Sequence, residues 1–194
     1  MTGGGGQRRT SRRFIRAASL PTALVAAGLG AAFAGEINHY AQVSPGLYRG
    51  GRPSQEDVAE LRELGVKTIL DLEGGLFVTE TNAVTRERDW AAAAGMNFEH
   101  VPLSPLRAPR PARVDAALAV LGDPGKRPVY VHCKGGVDRT GFVVAAYRVK
   151  IEGWTPQQAY DEMVRLGFHR YLFWWKGAFF RYAGATLAAA AEAD

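Results

Sequence analysis

The stretch Pro128-Val129-Tyr130-Val131-His132-Cys133-Lys134-Gly135-Gly136-Val137-Asp138-Arg139-Thr140-Gly141 constrains this chain more than any other. A short apolar β-type run ends at the only cysteine. Two glycines, an arginine and a hydroxyl residue follow, and then a long apolar helical pattern. Strand, tight glycine loop and helix N-terminus together make an anion-binding layout: loop N–H groups point inward and the helix dipole adds partial positive charge. A cysteine at the start of such a loop reacts as its thiolate. At the far end, Arg139 offers a planar fork of donors to two oxygens of the bound anion.

This Cys133-x5-Arg139-Thr140-Gly141 loop resembles the signature of cysteine-dependent phosphatases of the tyrosine and dual-specificity class. A second stretch carries the likeness further. Tyr48-Arg49-Gly50-Gly51-Arg52-Pro53-Ser54, a helical pattern, and then Gly65-Val66-Lys67-Thr68-Ile69-Leu70-Asp71-Leu72 are similar to the opening of compact bacterial, plant and fungal dual-specificity phosphatases. The resemblance therefore covers about residues 37–170. A rhodanese-like sulfur-transfer loop also begins with a cysteine after a strand, but Asp-Arg-Thr-Gly running into a helix fits it poorly. A buried cysteine beside an ordinary glycine turn is the bland alternative.

The rest of the chain reads as alternating strands and helices. Residues 36–50 form an entry segment with a turn and a first strand. Ser54 caps a helix over Glu56–Leu64, whose apolar Val58, Leu61 and Leu64 share one face, and Gly65 closes it. Val66–Leu72 is a strand, Thr79–Ala94 a helix and Asn97–Leu103 a strand. Three prolines make 104–111 a loop. Helices follow over Ala112–Leu121, Thr140–Ile151 and Gln157–Leu166, the last opened by Thr155 at the N-cap and Pro156 behind it. The aromatic segment from Tyr171 to Tyr182 reads as a C-terminal helix packed on the domain, or as an aromatic surface facing a membrane or partner. The fold class is α/β: one three-layer domain with a central, largely parallel sheet flanked by helices.

Charge locates a leader instead of a nucleic-acid surface. The formal net charge is +5, yet residues 1–34 hold five arginines and no acid, so the remainder balances at 19 basic and 19 acidic residues. Nucleic acid is not an expected partner. From Ala17 to Gly35 there is no charge, and Ala32-Phe33-Ala34 supplies an A-x-A pattern before Gly35. Ser11-Arg12-Arg13-Phe14-Ile15-Arg16 resembles a twin-arginine export signal. The expectation is a leader over 1–35, cleaved or kept as a membrane anchor, and a catalytic domain over 36–194 facing the periplasm or exterior; a buried Ala-rich helix of a cytoplasmic protein is the alternative. The lone cysteine excludes an intramolecular disulfide.

The phosphatase resemblance implies roles for named residues. Cys133 is the nucleophile, and Lys134, Gly135, Gly136, Val137, Asp138 and Arg139 hold the phosphate. Thr140 donates to the sulfur, and His132 helps fix the loop and the thiolate. Family members usually carry an acid on the loop before the last helix preceding the catalytic strand. Here Pro102–Ala112 contains neither Asp nor Glu. Asp138 is the first candidate for that acid, although a carboxylate bracing the loop is an equal reading; Asp71 and Glu73, at a strand end, are weaker candidates. Lys134, Arg107, Arg110 and Arg113 are expected to ring the pocket with positive charge, or else to be solvated. No metal or cofactor is expected, because no His/Cys/Asp cluster has ligand spacing along the chain. The substrate implied is a phosphorylated protein, most directly phosphotyrosine, with a phosphoinositide or inositol phosphate as the alternative. A phosphate-binding pseudophosphatase is the reading from another class, motivated by the missing acid.

Overall fold

The computed structural model describes Met1 and residues 37–75 and 80–193. The expected leader therefore lies, apart from Met1, outside the described residues. Among those described, no helix is long and apolar enough to cross a membrane.

The elements run β1 (Ala41–Ser44), β2 (Leu47–Gly50), α1 (Gln55–Glu63), β3 (Thr68–Glu73), α2 (Asn82–Ala93), β4 (Asn97–Leu103), α3 (Pro111–Gly122), β5 (Val129–His132), α4 (Asp138–Lys150), α5 (Pro156–Arg165) and α6 (Phe173–Ala193). The five strands form one sheet in the order β1-β2-β5-β3-β4, parallel throughout except for the β1–β2 hairpin. The fold is the α/β sandwich that the alternation of elements implies. Several boundaries shift by one to three residues from expectation, and two differences bear on the site. Residues 36–50 yield two strands, because Gly46 takes φ +74° and lets Ser44-Pro45-Gly46-Leu47 turn back. The helix expected from Thr140 starts at Asp138, which puts Asp138 and Arg139 in its first turn.

Strand alternation separates two cores. Val129 and Val131 of β5, with Leu70 and Leu72 of β3, face a large cluster built with α3, α4, α5 and α6. Tyr130 and Ile69 point the other way, toward Val58 and Leu61 of α1 and Ala91 of α2. Buried on both faces, β5 is the centre of the sheet, which is why its four residues read as a continuous apolar run closing on histidine. Ser54 and Asp57 form a capping box at α1, and Thr155 and Gln158 form one at α5. Such caps each stabilise by ~1 kcal/mol. The aromatic C-terminal segment divides along its length. Trp175 and Phe179 are buried edge-on to Phe142 of α4, and Tyr182 donates its hydroxyl to Asp115 of α3 at 2.7 Å, whereas Tyr171 and Phe173 remain exposed.

Candidate active site

β5 ends between two parallel neighbours: its last residue, His132, is in register with Gly50 of β2 and Asp71 of β3. The chain leaving it must turn across both strand ends. Gly136 makes this turn possible, at φ +74°, with its α-carbon so close to β2 that an added Cβ would lie 2.5 Å from the Gly50 carbonyl carbon. Arg49 reaches under the loop and donates to the Gly136 carbonyl at 2.6 Å. It is 1% exposed, and burial lowers its pKa, with Cys133 and Glu162 pulling the other way. The Arg52 backbone N–H donates to the Lys134 carbonyl at 3.3 Å, and the Tyr130 hydroxyl donates to the Gly51 carbonyl at 2.6 Å. The loop is thus held from below by the Tyr48–Pro53 stretch.

A cavity of about 380 Å³ opens above it, lined by Pro105, Cys133, Lys134, Gly135, Val137, Asp138, Arg139 and His169. Sequence-predicted Cys133, Lys134, Asp138 and Arg139 therefore converge on one space. Cys133 is buried at its base, while Lys134 is exposed at its rim. Arg139 is nearly buried, its Nη1 facing the Gly74 and Leu103 carbonyls at 3.4 and 3.5 Å, contacts long enough to leave most of its donors for a ligand. Thr140 Oγ1 is buried and has no hydrogen-bond partner among the described residues. The helix N-terminus and the loop supply the anion-binding electrostatics that the sequence layout implies.

His132 is wholly buried and does not line the cavity. Its Nε2 lies 2.7 Å from Glu87 Oε1, and Asp71 completes a buried group of three. Burial alone would lower the His132 pKa, but Glu87 and Asp71 outweigh it and raise the value to about 9. Burial in turn raises Asp71 to about 6, against the pull of His132. The absence of ligand spacing along the sequence thus did not foretell this cluster, because α2, β3 and β5 meet only in the fold. Its 2.7 Å separation fits a charge pair; two ligands on one zinc stand roughly 3.3 Å apart. Glu87 was visible only as a charge in the Val84–Glu87–Ala91 spacing of an otherwise buried helix face.

Of the two readings for Arg107, Arg110 and Arg113, in and beside the proline loop, the solvated one holds, since all three are exposed and none lines the Cys133 cavity. Arg107, Arg110 and Arg113 line a separate cavity of about 200 Å³ together with Pro102, Leu103 and Ser104, and only Pro105 of that loop borders the Cys133 cavity. The loop is pinned from outside. Trp174 and Trp175 both donate their indole N–H to the Leu106 carbonyl, at 3.1 and 3.4 Å. Asp71 and Glu73 are also occupied away from the cavity: the Glu73 backbone N–H donates to Asp71 at 2.6 Å, and Glu73 pairs with Arg52 through both oxygens. Asp138 does face the cavity, but its carboxylate accepts the His169 backbone N–H at 3.0 Å, and both oxygens lie 3.0 Å from His169 Nδ1. Arg49, Glu87 and His169 are the site residues that motif reading did not single out.

A mostly parallel sheet whose central strand delivers a Cys-x5-Arg loop to a helix N-terminus is the fold of the cysteine-dependent phosphatases. Residues 34–170 match the family model described as DSP-PTPase phosphatase fused to NAD+ kinase. The chain belongs to this family of cysteine-dependent dual-specificity phosphatases. It is 33% identical over 132 residues to the dual specificity protein phosphatase TpbA of Pseudomonas aeruginosa, a match covering 68% of this chain and 56% of that protein. The chain thus spans a little over half the length of this relative. Among solved structures it is similar to a TpbA variant from P. aeruginosa in complex with pTyr, with TM-score 0.56 and 29% identity, covering 76% of this chain and 81% of that one. It is also similar to the core catalytic domain of the PP-IP phosphatase SIW14 from S. cerevisiae in complex with citrate, with TM-score 0.60 and 26% identity, covering 68% and 77%.

Proposed function

We propose that this protein hydrolyses phosphomonoesters through a cysteinyl-phosphate intermediate and that its substrate is phosphotyrosine in protein. The observation that carries the reading is the convergence of Cys133, Arg139 and loop residues Lys134, Gly135 and Val137 on one cavity at the start of α4. Cys133 thiolate attacks phosphorus and the ester P–O bond breaks, its electron pair leaving with the alcohol oxygen, while Arg139 and the loop N–H groups hold the non-bridging oxygens as their charge redistributes. Water then cleaves the S–P bond and frees phosphate, and the thiolate leaves. Thr140, buried in the first turn of α4 with its hydroxyl uncommitted, donates to that sulfur in this reading. Arg49 keeps the Gly136 carbonyl turned down and so helps the loop present its amides upward.

Likeness to a phosphatase crystallised with pTyr supports the protein substrate. A second reading, an inositol phosphate or phosphoinositide, is favoured by Lys134 at the exposed rim and by likeness to a PP-IP phosphatase. The first test is metal-free hydrolysis of para-nitrophenyl phosphate by the full chain beside Cys133→Ser. Turnover that survives chelator and vanishes in the variant supports the thiol mechanism. Phosphate binding without turnover supports a pseudophosphatase instead. Rates on phosphotyrosyl peptides against inositol phosphates then rank the two substrate classes.

We further propose that residues 1–35 direct the domain out of the cytoplasm, supported by five arginines ahead of a 19-residue uncharged run. An alkaline phosphatase fused after Glu36 is then active, and a reporter fluorescent only in the cytoplasm is dark; the reverse pattern refutes export.

A further inference from the structure

An ester with an unactivated leaving group needs a proton at the departing oxygen as the P–O bond breaks. The proline loop carries no carboxyl group. Asp71 and Glu73 are bound elsewhere and do not line the Cys133 cavity. Asp138 lines it, but as an acceptor: one oxygen takes a backbone N–H and both face the ring of His169. That contact changes what His169 is. A carboxylate at Nδ1 holds the proton on that nitrogen and orients the ring, leaving Nε2 as the edge available for proton transfer. The His169 side chain is 46% exposed and lines the cavity that holds Cys133, Lys134 and Arg139.

The local backbone is shaped to bring it there. His169 lies between α5 and α6, two residues after Gly167 at φ +99°, where an added Cβ would meet Val137 of the cysteine loop at 2.9 Å. The segment therefore rests directly on the loop. The Tyr171 ring stands 5.2 Å from the imidazole, centroid to centroid.

We propose, resting on the phosphatase reading above, that His169 is the general acid and base of this site, oriented by Asp138. In the first step the S–P bond forms and the P–O bond to the leaving group breaks. The electron pair goes to the leaving oxygen, and the Nε2 proton of the imidazolium passes to it. In the second step neutral Nε2 takes a proton from water as the water oxygen bonds phosphorus. The S–P bond breaks with its pair returning to sulfur, which restores thiolate and imidazolium. The charged or titratable groups facing this chemistry are Cys133, Lys134, Asp138 and Arg139, with the Tyr171 phenol beside the ring.

The test compares kcat/KM for phenyl phosphate, with a poor leaving group, and para-nitrophenyl phosphate, with a good one, in wild type, His169→Ala, His169→Gln, Asp138→Asn and Cys133→Ser. Loss of a general acid lowers the rate on phenyl phosphate by about 10²-fold or more, with a loss about tenfold smaller on para-nitrophenyl phosphate. Added imidazole restores His169→Ala on phenyl phosphate and does nothing for Cys133→Ser. Equal losses on both esters in His169→Ala and His169→Gln, together with no response to imidazole, overturn the role of His169 while Cys133-dependent turnover keeps the phosphatase reading intact. A wild-type chain without Cys133-dependent turnover overturns both.

Discussion

Replacing Glu87 by glutamine removes the charge that holds His132 protonated in the interior, and its effect depends on pH in a way that a packing defect does not. His132 titrates near 6.5 when exposed and is raised to about 9 here, against its own desolvation, by Glu87 and Asp71. Holding the proton over that interval corresponds to ~3 kcal/mol of folding free energy, since each pH unit is worth about 1.4 kcal/mol. The group is fully buried, so solvent screening does not reduce it. Because the folded-state value is raised, this stability is fully present below about pH 6.5 and is lost as pH rises through about 9. Asp71, raised to about 6, has largely finished titrating at the lower edge of that window. Equilibrium urea unfolding followed by tryptophan fluorescence reports the result. Wild type loses ~3 kcal/mol between about pH 6 and pH 10, whereas Glu87→Gln, in which Asp71 alone of the pair still holds the proton, is weaker than wild type near pH 6 and closes the gap toward pH 10. A deficit of the same size at both pH values refutes the charge argument and leaves Glu87 a matter of shape.

Three other substitutions probe the frame around the cavity. Gly136→Ala forces a side chain into left-handed backbone against Gly50, and we expect a loss of at least ~2 kcal/mol together with loss of turnover; thermal melts within a degree of wild type contradict this. Arg49→Met leaves the buried Gly136 carbonyl without its donor, a cost of about 1–3 kcal/mol, and weakens inhibition by inorganic phosphate; an unchanged inhibition constant shows that the loop keeps its shape without Arg49. Trp175→Ala opens the core beside Phe142 and Phe179 and removes an anchor of Leu106, for ~3–5 kcal/mol by urea unfolding; a loss under ~1 kcal/mol shows that the helix collapses to fill the space.

What could be read from the sequence follows the range of the interactions. The strand ending at Cys133, the caps Ser54 and Thr155 and the closing Gly65 are local, set by periodicity and by hydrogen bonds within a few residues, and each stands where the pattern put it. Cys133, Lys134 and Arg139 were legible for the same reason, being spaced along one tight loop. His132 and Glu87 are 45 positions apart on different elements, and no local pattern joins them; the only trace was a glutamate on a buried helix face. Asp138 was visible but its partner was not, because His169 reaches it from beyond α5. For the arginines of the proline loop the sequence left two readings, a ring around the pocket or solvated charge, and only the fold, with two tryptophans tying that loop down, decides for solvated charge.

The contact between Gly136 and Gly50 has a consequence for how this protein can change. The cysteine loop is cast against the end of β2: there is no space for a methyl group between them, and Arg49 and Arg52 each grip a loop carbonyl, the first across 87 positions of sequence. The loop and the Tyr48–Pro53 stretch are therefore one inherited part in two pieces. A loop transplanted from a relative arrives without its mould, and exchanges of pocket chemistry between family members should succeed only when both pieces travel together.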